Sequence, residues 1–412
     1  VIAGLRPADL RGWARLGVDA VVGVTDTAEA LHATIARIAP PIGRARASRA
    51  RGLTGLVYRA VRGTTRAVGG GLDLAFAALA QAAPPPQGAP SARREALVAV
   101  VNGVWGDHLA ATGNPLAIPM RLRVDGVPID PAAGPPPGTG DGRRLLLMVH
   151  GLCMNDLQWT RDGHDHGATL AHEAGWTPLR LHYDSGRPVP DNGRELSALL
   201  EALLERWPVR IDEIAILGHS MGGLVARAAC VAAEAAGHAW LDRLSALVFL
   251  GTPHLGAPLE RGGHALERAL GISPYAAPFA RLGRARSAGI TDLRHGAVRD
   301  EDRAAPARGA PPTTAPLPSG VRSYAFAASR SGADATGALA GDGLVPVDSA
   351  LGRHRDPRRA LAIPDAHRRV IRSANHWALL DRPEVTEQLV RWLARRRRGR
   401  GPLNRAVSGA TR

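Results

Sequence analysis

The sequence predicts an α/β fold: a mainly parallel sheet covered by helices. Three observations predict it. From about residue 115 onward, short apolar runs alternate with helical stretches, the pattern of strands joined by crossover helices. One run, Leu145 to Val149, is apolar throughout, which suits a strand buried on both faces. Another, Ile214 to Gly218, passes through a Gly-rich turn straight into a helical pattern that begins at Met221. The length of 412 residues allows two or three domains or one elaborated domain. Hydrophobic residues at 45% and charged residues at 22% describe a globular chain rather than a disordered one.

Residues 1–114 read as a helical region. Leu10, Trp13, Gly17, Val21, Val24, Ala28, Leu31, Ile35 and Ile38 recur at steps of three and four, with a break expected near Thr25 because Asp26 to Glu29 resembles a capping box. A second helical stretch, Gly52 to Ala80, carries Leu53, Leu56, Val57, Ala60, Val61, Val68 and Leu72, with Arg59, Arg62 and Arg66 on another face. A third covers Ala92 to Ala111, with Leu97, Val101, Val104 and Trp105 inward. Residues 115–400 form the α/β domain. Its expected strands are Met120 to Val124, Leu145 to Val149, Pro178 to Tyr183, Ile214 to Gly218, Ala246 to Leu250, Val321 to Ala327 and Arg369 to Arg372. Helices are expected over Glu195 to Trp207 and Met221 to Ala236. An insertion at about 255–320 stands where a cap or lid would be placed, and a basic tail covers 401–412.

Composition excludes several classes. No run of 18 uncharged apolar residues occurs, so a conventional transmembrane helix is not expected. The net charge is +15 and every fixed cation is arginine, since the chain has no lysine. Aromatics at 4% argue against a stacking platform for single-stranded nucleic acid, and no recognition motif supports a specific nucleic-acid partner. Cys153 and Cys230 rule out a disulfide scaffold. Val1 to Ala20 shows no secretory signal pattern, which gives a cytoplasmic expectation.

The chemistry concentrates in a few loops. Gly218-His219-Ser220-Met221-Gly222 is a G-x-S-x-G in the strand–turn–helix setting that projects a serine hydroxyl at the carboxyl edge of a sheet. A serine needs a base. His376, in Ser373-Ala374-Asn375-His376, follows an expected strand and precedes a helix start at Asp381-Arg382-Pro383. His354 and His367 lie in Arg-rich polar segments and are weaker candidates. The acid that orients the base is expected at Asp342, between two glycines after the strand Val321 to Ala327, with Asp348 as runner-up. A tetrahedral oxyanion needs donors in place before it forms. The backbone N–H groups of Met221 and of Leu152, in the loop His150-Gly151-Leu152, suit that task.

Together, Val149-His150-Gly151-Leu152, the turn through Gly222-Gly223, Gly251-Thr252-Pro253-His254, Gly341-Asp342-Gly343-Leu344-Val345-Pro346 and Asn375-His376 resemble the α/β-hydrolase lipase/esterase group. Within it, the chain looks most similar to bacterial lipases of the GPI inositol-deacylase-like branch, over about residues 115 to 400. The resemblance implies an α/β-hydrolase fold and hydrolysis of acyl or lipid esters through an acyl-serine, with no cofactor and no metal. It also implies that His150, Gly151, His219, Thr252 and His254 surround the substrate. A thioesterase or acyltransferase would use the same machinery, and a silent lipid-binding scaffold would use none of it.

Other features have two readings each. In the insertion, Ile272, Tyr275, Phe279 and Leu282 suit a lid over an acyl pocket or an excursion packed on the core. His164, Asp165, His166 and His172 meet no fixed metal-ligand spacing and read as a polar loop. Arg395 to Arg400 reads as a solvated tail. The Arg59, Arg62 and Arg66 stripe reads either as peripheral membrane contact through basic N-terminal helices or as arginines in water on a packed helix.

Overall fold

The computed structural model describes residues 5–38, 52–83, 91–134, 141–257, 287–304, 313–332 and 340–394. Its centre is one eight-stranded sheet in the order β2-β1-β4-β3-β5-β6-β7-β8. The strands are β1 (Arg121–Val124), β2 (Val127–Pro128), β3 (Arg144–Val149), β4 (Thr177–His182), β5 (Glu213–His219), β6 (Leu244–Leu250), β7 (Arg322–Ala328) and β8 (Arg368–Ile371). β1 pairs antiparallel with β2 and β4, and the other neighbours are parallel. All seven strands expected from the sequence form, with ends shifted by at most a residue or two. β3 is buried at every position, as its unbroken apolar run requires.

Helices α4 (His166–Ala174), α5 (Val189–Arg206) and α6 (Met221–Ala236) connect the central strands. One face of the sheet packs Leu145, Leu147, Ile214, Ile216, Leu247 and Phe249 against α5 and α6. The opposite face packs Leu146, Met148, Leu217 and Val248 with Trp159, Trp176 and the C-terminal helix Pro383–Leu393. Arg144 closes that layer. Its guanidinium lies 4.0 Å from the centre of the Trp176 ring and donates to the Leu393 carbonyl.

The N-terminal region is helical: α1 (Pro7–Ile38), α2 (Gly52–Ala82) and α3 (Ala92–Ala111). The break expected near Thr25 does not occur. The Thr25 hydroxyl instead donates to the Val21 carbonyl one turn back, inside a continuous helix. The apolar face of α2 is turned outward: Leu56, Val57, Val61, Val68 and Leu72 are exposed. The side of α2 that meets α1 is the charged one. Arg62, 6% exposed, pairs with Asp26 and Glu29, while Asp73 pairs with Arg11 and Arg15.

α3 is built into the α/β core. Buried Asn102 donates to the carbonyls of Val98 and Leu116 and accepts from Ile118 N–H, tying the helix to the approach to β1. Arg123 of β1 joins Glu95 of α3 to Asp156, and the His182 ring sits between the same two carboxylates. These three acceptors and donors are the one group among the described residues close enough to hold a metal ion, and the Arg123 guanidinium already supplies a cation between the carboxylates. No helix among the described residues is long and apolar enough to cross a membrane. Most of the expected lid, including Ile272, Tyr275, Phe279 and Leu282, and the tail 401–412 lie outside the described residues.

Candidate active site

β5 runs into α6 with a single residue, Ser220, in the turn. Its backbone has φ 53° and ψ −124°, a conformation that side-chain-bearing residues seldom adopt and that persists only when the surroundings hold it. They do hold it. Ser220 N–H donates to the Leu250 carbonyl at 2.8 Å. A Cβ on Gly218 would stand 2.6 Å from Gly223 Cα, and one on Gly222 would stand 2.1 Å from the Val149 carbonyl. The two motif glycines are thus where backbone meets backbone.

The loop after β7 carries Asp342. Its Oδ1 accepts from the N–H groups of Leu344 and Val345, at 2.8 and 2.7 Å. That fixes the carboxylate and leaves Oδ2 for the His376 Nδ1–H, which donates to it at 2.6 Å. Asp348, the runner-up, is exposed on the short helix Val347–Ala350. His376 opens a 3₁₀ turn after β8 that Asn375 caps by accepting from Trp377 and Ala378 N–H. Gly251, at φ 62°, lets the ring in: a Cβ there would meet His376 Cε1 at 3.0 Å. With Nδ1 engaged, Nε2 is the nitrogen left for chemistry.

Ser220 and His376 line one cavity of about 40 Å³. Gly151, Leu152, Cys153 and Met154 supply one wall, and Leu293, Leu344, Val345 and Trp377 much of the rest. Gly151 and His219 line this cavity. His150, Thr252 and His254 do not. His150 lies behind the loop, stacked 4.4 Å from Tyr183, and burial holds its imidazole neutral with a pKa down at about 3. Thr252 packs its hydroxyl against Gly223. His254 stands edge-on to Phe249 at 4.6 Å, also buried, with burial and then Arg227 holding it well below the usual histidine range.

The polar loop of His164, Asp165 and His166 has a supporting place. Asp165 caps α4, and the His166 ring bonds Thr386 through Nδ1 and donates from Nε2 to the Leu379 carbonyl in the turn that carries His376. Burial keeps His166 neutral, with a pKa down at about 4. Leu293 lies outside every local motif, so no signal in the sequence marks it, whereas His166 belongs to the polar loop that the sequence singles out without giving it this role.

The strand order, the turn at Ser220 and the chain order serine, acid, histidine define an α/β-hydrolase fold. A family model described as a PGAP1-like alpha/beta domain matches residues 196–277, the stretch around β5, α6 and β6. No curated protein matches the chain. Among solved structures, a lipase of Bacillus licheniformis in mature form is similar at 18% identity and a TM-score of 0.40, over 67% of this chain and 98% of that one. A thermophilic esterase of Thermogutta terrifontis is similar at 17% and 0.36, over 67% and 93%. A lipase of Staphylococcus hyicus is similar at 11% and 0.36, over 62% and 95%.

Proposed function

We propose that this protein is a serine hydrolase of carboxylic esters, acting on acyl or lipid esters through an acyl-serine. One observation carries the reading. A serine on a strained turn and a histidine locked to a buried carboxylate at 2.6 Å line the same cavity. In the first half-reaction, Ser220 Oγ attacks the ester carbonyl while His376 Nε2 takes its proton. The carbonyl oxygen becomes an oxyanion, for which the Leu152 and Met221 N–H groups are the donors. The C–O bond to the alcohol then breaks, and the alcohol leaves with the proton from His376. Water repeats the sequence on the acyl-serine, releasing the acid and restoring Ser220. Asp342 keeps the Nδ1–H tautomer and stabilises the imidazolium. The apolar wall of Leu152, Met154, Leu293, Val345 and Trp377 favours the acyl side of an ester over a charged substrate.

The test is hydrolysis of p-nitrophenyl esters from short to long acyl chains. Ser220→Ala is expected to lower kcat/KM by about a thousandfold or more, and a fluorophosphonate probe is expected to label Ser220. Absence of turnover together with absence of labelling would sink the reading.

A further inference from the structure

Eleven large hydrophobic side chains are exposed among the described residues, and ten of them lie on α1 and α2. They are not scattered. With successive residues about 100° apart around a helix, Val57, Val61, Val68, Leu72 and Leu79 fall in one stripe of α2. Leu56 and Leu74 widen that stripe to an arc of about 160°. The four charges of α2, Arg59, Arg62, Arg66 and Asp73, fall within about 60° on the opposite side. α1 repeats the arrangement: Leu10, Val21 and Val24 are exposed, while Arg11, Arg15, Asp26 and Glu29 face α2. The hairpin is inverted relative to a helix pair in water, which turns hydrocarbon inward and charge outward. Its ion pairs are at the seam, beside the close approach of Val18 to Gly69, and its exposed large hydrophobic side chains are outside.

We propose that the α1–α2 hairpin is a foot whose outer face lies in the interface of an anionic lipid bilayer. Three observations choose this occupant. Hydrocarbon outside and polar groups within is the arrangement that a lipid interface favours. The apolar arc of about 160° is broader than the narrow seam along which one helix of a second copy would pack. Finally, the chain carries +15, and Arg59 and Arg66, exposed on the side of α2 away from the apolar arc, add to it at long range. An anionic surface attracts that charge, whereas a second copy bearing the same charge is repelled. The hairpin lies on the bilayer rather than across it, since neither helix is apolar enough to span. The sequence suggested a basic stripe as the contact. The structure replaces it with the uncharged face, because Arg62 is committed to Asp26 and Glu29. The foot does not depend on the ester-hydrolase reading.

The experiment is co-sedimentation of the full chain with vesicles of phosphatidylcholine, with and without phosphatidylglycerol. The wild type is expected to bind the anionic vesicles, more weakly at high salt, and to bind the neutral ones less. The combined Val61→Asp, Val68→Asp and Leu72→Asp variant alters only exposed positions. It is expected to lose about tenfold or more of the binding at an unchanged melting temperature. If that variant does not fold, Arg59→Glu with Arg66→Glu serves, and about a tenfold loss on anionic vesicles is expected. No vesicle binding by the wild type overturns the proposal, as does unchanged binding by the folded variants. So does a wild-type dimer in sedimentation equilibrium that the triple variant splits while no vesicles are bound, which would give the face to a second copy.

Discussion

Ser220, Asp342 and His376, the residues of the proposed triad, each stand in a local motif whose backbone demands leave a mark in the sequence. Gly218 and Gly222 are where chain crosses chain, Gly341 precedes the turn of Asp342, and Asn375 caps the turn of His376. The same motifs misled at His150, Thr252 and His254. Adjacency in sequence says that a side chain is near the site, not which side of the loop it points to. The choice between the two aspartates is tested by single substitutions. Asp342→Ala removes the carboxylate bonded to His376 and is expected to lower kcat on the order of 10³–10⁴-fold. Asp348→Ala changes an exposed side chain and is expected to leave kcat within about twofold. Comparable losses in both variants would show that the geometry around His376 is misread.

At the scale of elements, α3 is the buttress of the loop that bears Leu152. Gly103 faces Cys153 so closely that a Cβ would stand 2.2 Å from Sγ and 3.0 Å from the cysteine backbone N. Cys153 holds φ 59° and its N–H donates to Ser185 Oγ at 3.0 Å. Gly103→Ala must therefore push helix and loop apart. Overpacking of this kind costs about 1–3 kcal/mol of stability. Because the displaced loop carries the Leu152 N–H, the proposed oxyanion donor, kcat is expected to fall about tenfold or more with a smaller change in KM. Adding Cys153→Gly removes the sulfur at a position whose φ suits glycine, and is expected to recover part of kcat. A loss of stability with kcat intact would make α3 a packing element only. The helices themselves were legible from their period of three and four. What α2 turns its apolar face toward was not, because periodicity identifies a face and is silent on its neighbour.

Across the whole molecule, the sheet could be read almost strand by strand, since its buried runs are unbroken and its turns rich in glycine and proline. Long-range charge could not. Asp184, two residues after β4, is buried against Gly106 of α3, and burial, with Asp107 adding to it, raises its pKa to about 7. The unfolded carboxyl titrates near 4. Between those values the native state holds a proton that the unfolded chain releases. Stability should therefore fall as pH rises from about 4 to about 7, by on the order of 2–4 kcal/mol. Asp184→Asn keeps the size and the acceptor for the Gly186 N–H and lacks the charge. It is expected to raise the melting temperature at pH 8 and to matter little at pH 4. Parallel melting curves for the two proteins across that range would contradict the assignment.

The sheet also spreads its chemistry unevenly between centre and margin. β5, with Ser220 at its end, is flanked on both sides by paired strands. β8 is a margin of four residues, bonded to β7 alone, and the turn that carries His376 hangs from it. Margins of sheets open far more often than centres. On the proposed roles, Ser220 stands at the centre of the sheet and His376 beside its margin. Gentle warming is then expected to part the two before the sheet unfolds, so that activity would fade ahead of melting.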